Sequence, residues 1–198
     1  SYKIMARIDN RRFYTSALKL YGETPKGLNW FSKQSQEIRF AKILEFLPKD
    51  FQDKLIVDAG CGFGDFYHYA HLDSQHYIGL DSLEIMCHKT HKATGAKSFV
   101  VDICQDELPK GDFFICSGAM NILHKFETHL FIQNCFRSAK YGFIFNILYG
   151  EKESSTYNYF TKKEIYQIAK DLQVTSIKIN DQYLQNDITV GFYKNFSH

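Results

Sequence analysis

Val57-Asp-Ala-Gly-Cys-Gly-Phe-Gly64 is the stretch on which the fold turns. It follows the apolar run Leu55-Ile-Val57 and breaks at an acid into three alternating glycines. A short apolar run that stops this abruptly reads as a buried strand emptying into a tight loop. The glycines allow backbone dihedrals that a side chain forbids, and let the main chain approach a ligand closely. A helix is expected from about Gly64, carrying Phe66, Tyr67 and Tyr69.

The same punctuation recurs downstream. Tyr77-Ile-Gly-Leu80 ends in Asp81, Ser98-Phe-Val-Val101 in Asp102, and Phe113-Phe-Ile-Cys116 in Ser117-Gly118. Between these runs lie helical patterns, one capped by Ser82 and holding Leu83, Ile85, Met86 and Ala93, another over residues 126–139. Phe143 to Leu148 reads as a fifth strand, and Thr161-Lys-Lys-Glu164 as a capping box opening a helix to about Leu172. Alternating strands and helices predict an α/β fold with a doubly wound, mostly parallel sheet. The runs lack strict alternation, as strands covered on both faces do. Val174 to Ile179 and Ile188 to Tyr193 have only Asn180 to Asp187 between them. That is too short for a parallel crossover, so the chain closes on an antiparallel hairpin. Upstream, a helix is expected from about Lys33 to Phe46, with Ser32 as N-cap, Ile38, Ala41, Leu44 and Leu47 recurring on one face, and Pro48 as its stop. Residues 11–21 have mixed helical character and residues 23–27 are turn-rich.

The chain has 198 residues, which suits a single domain 1–198: an N-terminal helical extension over 1–50 and a core over 51–198. Its apolar fraction of 44% supplies one sizeable core. A formal charge of +2 creates no dominant field and argues against a nucleic-acid partner, the basic cluster Lys3, Arg7, Arg11 and Arg12 being its only support. No apolar run is long enough for a membrane span. Five cysteines, none spaced C-x-x-C, and no visible leader point to free, mostly buried thiols and a cytoplasmic setting. The 18 Phe and 13 Tyr suit a large core or a ring-lined pocket.

Doubly wound sheets bind ligands at the carboxyl ends of their strands. Asp81 follows Asp58 by 23 positions, which suits a carboxylate accepting from a ribose diol. The dinucleotide fingerprint wants a small residue at position 65, where this chain has Asp. An acid there competes with a pyrophosphate for the helix N-terminus. On these residues the chain resembles the class I S-adenosylmethionine-dependent methyltransferases, from about Leu55 to Tyr193. The resemblance implies a seven-stranded sheet of order 3-2-1-4-5-7-6 with strand seven antiparallel, and an N-terminal helical lid formed by residues 1–50. It implies S-adenosyl-L-methionine as cofactor and S-adenosyl-L-homocysteine as product. The loop of Asp58, Gly60, Cys61, Gly62 and Gly64 would pack beside the methionine part, and Asp81, with Ser82, would hold the ribose. Asp102 and Ile103 would meet adenine, and Ser117-Gly118 would pass under the transferable methyl.

The acceptor is less legible. The family's nucleic-acid amino-methylating members often carry an Asp/Asn-Pro-Pro-aromatic motif after strand four. Cys116-Ser-Gly-Ala-Met-Asn121 lacks it and offers no acidic metal ligand, so a small-molecule acceptor and no metal are expected. Arg39 suits the methionine carboxylate, with a surface arginine as the alternative. Tyr14, Trp30, Asn121, Tyr149 and Tyr157 are the candidate acceptor residues, and His124 a candidate base. No residue is assigned to catalysis. A nicotinamide-dependent oxidoreductase and a non-catalytic S-adenosyl-ligand module are the competing readings.

Overall fold

Strand β1 (Ile56–Ala59) is buried along its whole length. It lies between parallel strands β2 (Tyr77–Asp81) and β4 (Gly111–Ser117). This computed structural model describes residues 33–195. Tyr14, Trp30, Ser32, the helical stretch 11–21 and the basic N-terminal cluster lie outside the described residues. Outward from β2 comes β3 (Lys97–Val100). Beyond β4 come β5 (Ala139–Tyr149), β8 (Asp187–Tyr193) and β7 (Ser176–Asn180), giving the order β3-β2-β1-β4-β5-β8-β7. The last hairpin is antiparallel, as its short connection requires, and β8 also runs antiparallel to β5.

The expected seven strands become eight. Within the aromatic loop after β5, β6 (Tyr159–Phe160) pairs with Leu148 and Tyr149. The Gly150 N–H donates to the Phe160 carbonyl and closes the turn that makes this pairing possible.

Helices cover both faces. Helices α1 (Lys33–Phe46) and α2 (Asp65–Tyr69) cover one, placing Phe40, Ile43, Phe46 and Phe66 on Ile56, Phe113, Ile115 and Ile144. Helices α4 (Lys125–Ser138) and α5 (Lys162–Asp171) cover the other, where Phe131, Phe136, Ile165 and Ile168 meet Val57, Phe114, Phe143 and Phe192. Each such side chain contributes roughly 1.5–3 kcal/mol by leaving water. The Thr161–Glu164 capping box forms as the sequence predicts.

Two local expectations are corrected. Ser82 does not cap α3 (Glu84–Thr94), because the Asp81 carboxylate reaches forward and accepts the Leu83 N–H at 3.1 Å. In α1 the buried face is Gln36, Arg39, Phe40, Ile43 and Phe46, while Ile38, Ala41 and Leu44 are half-buried. The helix turns two polar residues inward because two acids await them: Gln36 bonds Asp65 and Arg39 bonds Asp187.

Register then sets the site. Ser117 lies opposite Asn146, and Asn146 opposite Thr189. Directly opposed residues share a face of the sheet. The three form a polar row at its carboxyl edge, on the side where Asn146 touches α1.

Candidate functional site

The glycine loop folds back on β2. Gly60 and Cys61 both donate their N–H groups to the Leu80 carbonyl, at 2.7 and 2.9 Å. Gly62 donates to Asp81 Oδ2 at 3.1 Å, and Gly64 to the Cys61 carbonyl. Gly60 has φ +80°, and a Cβ on it would fall 2.4 Å from the Ala119 Cβ. Only glycine allows the loop and the β4 exit to lie this close. These four donors are consumed inside the protein, so they form no open cradle for a pyrophosphate. Asp65 opens α2, and Gln36 Nε2 binds its carboxylate at 3.3 Å.

Beside the loop is a cavity of about 260 Å³. Of the expected cofactor residues, Gly60, Asp81, Ser82, Asp102 and Ile103 line it together. Its apolar lining residues include Val101, Ile103, Ala119, Leu123 and Phe131. That is an apolar slot suited to a flat ring. Cys61, Gly62 and Gly64 shape the loop without lining the cavity, and Ser117-Gly118 lead directly into the wall residue Ala119. The Asp102 carboxylate accepts from the Cys104 N–H at 3.0 Å and tightens the turn after β3. Glu127, 1% exposed in the first turn of α4, also lines the cavity. Acids open many helices, so nothing local singled it out.

Two carboxylates dominate the electrostatics. Burial pushes Asp81 up to about 6, against hydrogen bonds from Leu83 and Gly62 that stabilise its charge. Burial pushes Asp58 up to about 7, opposed by the Tyr77 hydroxyl, which donates to Asp58 Oδ2 at 2.7 Å. Asp81 and Asp65 nearby raise it further. No described cation is bonded to Asp58 or Asp81, so the site has acceptors for positive charge.

The remaining expected residues separate. Arg39 is 7% exposed, not a surface arginine. Its Nε donates to Asp187 Oδ1 at 3.0 Å. Asn121 is buried and works on the scaffold: its side-chain oxygen accepts the Leu148 N–H and its main-chain oxygen the Asn158 N–H. Tyr149 is half-buried against the core with Lys162 Nζ 5.7 Å from its ring centre. Tyr157 is half-buried in the loop before β6, and His124 is exposed before α4. Tyr14 and Trp30 fall outside the described residues. All five cysteines are buried and unpaired with one another.

Sequence reasoning missed a buried polar chain. Asn146, Thr189 and Asp187 are each at most 1% exposed. Ser117 donates to Asn146 Oδ1 at 2.6 Å, and Asn146 Nδ2 reaches the Arg39 carbonyl at 3.2 Å and Thr189 Oγ1 at 3.3 Å. Thr189 Oγ1 meets Tyr183 Oη at 2.8 Å, and Tyr183 donates to Asp187. One signal was available: Asn146 interrupts the apolar run Phe143 to Leu148.

No protein-family model matches the chain, and no curated protein matches it. Solved structures do. A magnesium protoporphyrin IX methyltransferase from Synechocystis PCC 6803 with bound SAH superposes with a TM-score of 0.65 at 14% identity, covering 96% of this chain and 99% of that one. A possible histamine N-methyltransferase from Thermotoga maritima gives 0.62 at 14%, covering 81% and 88%. An S-adenosylmethionine-dependent methyltransferase from Mesorhizobium loti gives 0.61 at 16%, covering 78% and 96%. At these identities the likeness is one of fold: the chain has the fold of class I S-adenosylmethionine-dependent methyltransferases.

Proposed function

We propose that the protein is an S-adenosylmethionine-dependent methyltransferase acting on a small molecule. One observation carries this. The glycine loop spends its N–H groups on Leu80, Asp81 and Cys61, while the buried acids Asp81 and Glu127 line the cavity beside an apolar slot. Such a site repels phosphates and suits a nucleoside with a cationic tail. The fold and the bound SAH of a structural neighbour support the same reading. When bound, S-adenosylmethionine would supply an electrophilic methyl on a sulfonium.

The protein's own residues supply placement. Asp81 is oriented by two backbone N–H groups and keeps lone pairs for a ribose diol. Val101, Ile103, Leu123 and Phe131 offer an apolar seat for adenine and exclude water. Asp58 balances positive charge beneath the loop. Holding two reactants in line is worth a large part of the barrier without any proton transfer. The small-molecule acceptor is supported by the near-neutral charge and by neighbours named for magnesium protoporphyrin and histamine. Among the described residues no helix is long and apolar enough to cross a membrane.

The test is thermal unfolding with ligand. S-adenosylhomocysteine at 100 times its Kd should add about 2.7 kcal/mol of stability, and NADH at the same concentration none. A shift with NADH alone would overturn the assignment.

A further inference from the structure

We propose that the protein pairs with a second copy of itself through the open edge of β3, in a two-fold antiparallel arrangement that extends the sheet and covers the cavity at Val100. The proposal concerns assembly, goes beyond the methyl-transfer reading and stands without it.

Main-chain direction is the first argument. Among the described residues β3 pairs with β2 alone. The Val101 N–H donates to the Asp81 carbonyl. Hydrogen-bonding groups alternate along a strand, so Phe99 and Val101 turn theirs to β2, and Ser98 and Val100 turn theirs outward. Proteins commonly blunt such an edge with a charge. The opposite edge, β7, has one in its middle: Lys178, whose Nζ bonds the Glu45 carbonyl. On β3 the charge is Lys97, at the strand's start. Phe99 and Val100 are left 43% and 53% exposed.

Register and charge name the occupant. A two-fold axis beside Phe99 sets Ser98 against the partner's Val100, so that outward N–H and C=O groups match in pairs on both sides of it. Phe99 then meets the partner's Phe99 in a close, non-hydrogen-bonded pair, where two aromatic rings attract. Lys97 comes beside the turn that holds the partner's Asp102. Helix α3 fits the same axis, because it packs across β2 and β3. With strands about 4.8 Å apart, two helices so placed lie about 10 Å apart, the spacing of packed helices. Cys87 Sγ reaches the Phe99 carbonyl, and Thr90 Oγ1 reaches the Gly62 carbonyl in the other direction. The flank beyond Cys87 therefore faces the open edge, and it carries Glu84, His88 and His91, all exposed. Glu84 stands in the first turn, and His91 and Lys92 in the last. The two helices run antiparallel, which brings Glu84 to the partner's His91 and Lys92. The edge is thus self-complementary in hydrogen bonds, rings and charge.

The cavity is affected as well. Val100 lines it. The partner's Ser98, set beside Val100, covers that margin, so pairing and ligand binding strengthen one another.

The wild-type protein should pass from monomer to dimer in sedimentation velocity between about 1 and 200 µM, as mass action requires. Hydrogen exchange at the Ser98 and Val100 amides should slow at least about tenfold over that range. Phe99→Lys sets two ammonium groups face to face and should weaken the dimer at least about tenfold. Glu84→Lys and Lys92→Glu should each weaken it by about 3- to 10-fold, and the two together should restore it. Saturating S-adenosylhomocysteine should tighten the wild-type dimer by about fivefold or more. A monomer at every concentration, its edge bare or covered by residues 1–32, overturns the proposal. So does a dimer indifferent to Phe99→Lys, and a charge swap that fails to recover refutes the antiparallel geometry. A dimer indifferent to S-adenosylhomocysteine that binds refutes the link to the cavity. Absence of S-adenosylhomocysteine binding counts against the methyltransferase reading and leaves the dimer standing.

Discussion

Asp58 and Asp81 are carboxylates whose charge the fold disfavours by burying them. Asp58 has its folded value raised from 3.8 to about 7, so the folded state favours its neutral form. The stability linked to that proton is complete below about pH 4 and is lost as pH rises through 7. Asp58→Asn retains an acceptor for Tyr77 and removes the cost. It should stabilise the ligand-free protein by about 1–3 kcal/mol at pH 8, and by little at pH 5, in urea titrations. The same change should weaken S-adenosylhomocysteine, whose ammonium favours ionised Asp58. Wild-type affinity should rise by about tenfold from pH 6 to pH 8, and this rise should flatten in Asp58→Asn. Asp81, raised to about 6, contributes in the same direction. Asp81→Ala removes the carboxylate proposed to hold the ribose and unties Gly62 and Leu83, so calorimetry should show S-adenosylhomocysteine binding at least 100-fold weaker. At Gly60 the constraint is steric. Gly60→Ala meets both the φ of +80° and Ala119, and should cost about 2–4 kcal/mol. Adding Ala119→Gly should recover the clash and not the dihedral strain.

Helix α1 shows what a sequence can and cannot disclose about an element. Its existence and its C-terminal end were legible, because the apolar residues and Pro48 mark them locally. Its buried face was not, because the partners of Gln36 and Arg39 lie 29 and 148 positions away. The strand exits were legible for the opposite reason: each acid or glycine immediately follows its own apolar run. Hence the cavity's Asp81, Asp102 and Ile103 could be named, while its walls at Leu123 and Phe131 looked like any apolar helix entry and core. The Arg39–Asp187 pair gives a prediction at this scale. Arg39→Ala leaves a buried acid held by Tyr183 without its cation, and should destabilise by about 3–5 kcal/mol. Combining Arg39→Met with Asp187→Leu should return most of that loss, because two desolvated charges disappear together. A double-mutant cycle in urea measures the coupling.

Across the whole sheet, β8 is the strand that joins the polar chain to the apolar core. It pairs with β5 and β7, carries Asp187 and Thr189 into the polar chain, and places Val190 and Phe192 in the core. A chain ending at residue 175 would leave β5 as an open apolar edge, and should be recovered mainly as aggregate, by sedimentation of the expressed protein. The aromatic surplus is largely core, with Phe114, Phe143, Phe145 and Phe192 almost free of solvent. The five sequestered thiols have a practical consequence. Burial raises Cys61, Cys116 and Cys135, which makes them slow toward alkylating reagents until the chain opens. They sit at different depths: Cys61 in the glycine loop, Cys104 on the cavity wall, Cys116 and Cys135 in the central core. The molecule thus carries its own stopwatch, in which pulsed alkylation read by mass times the release of the ligand loop separately from the melting of the sheet.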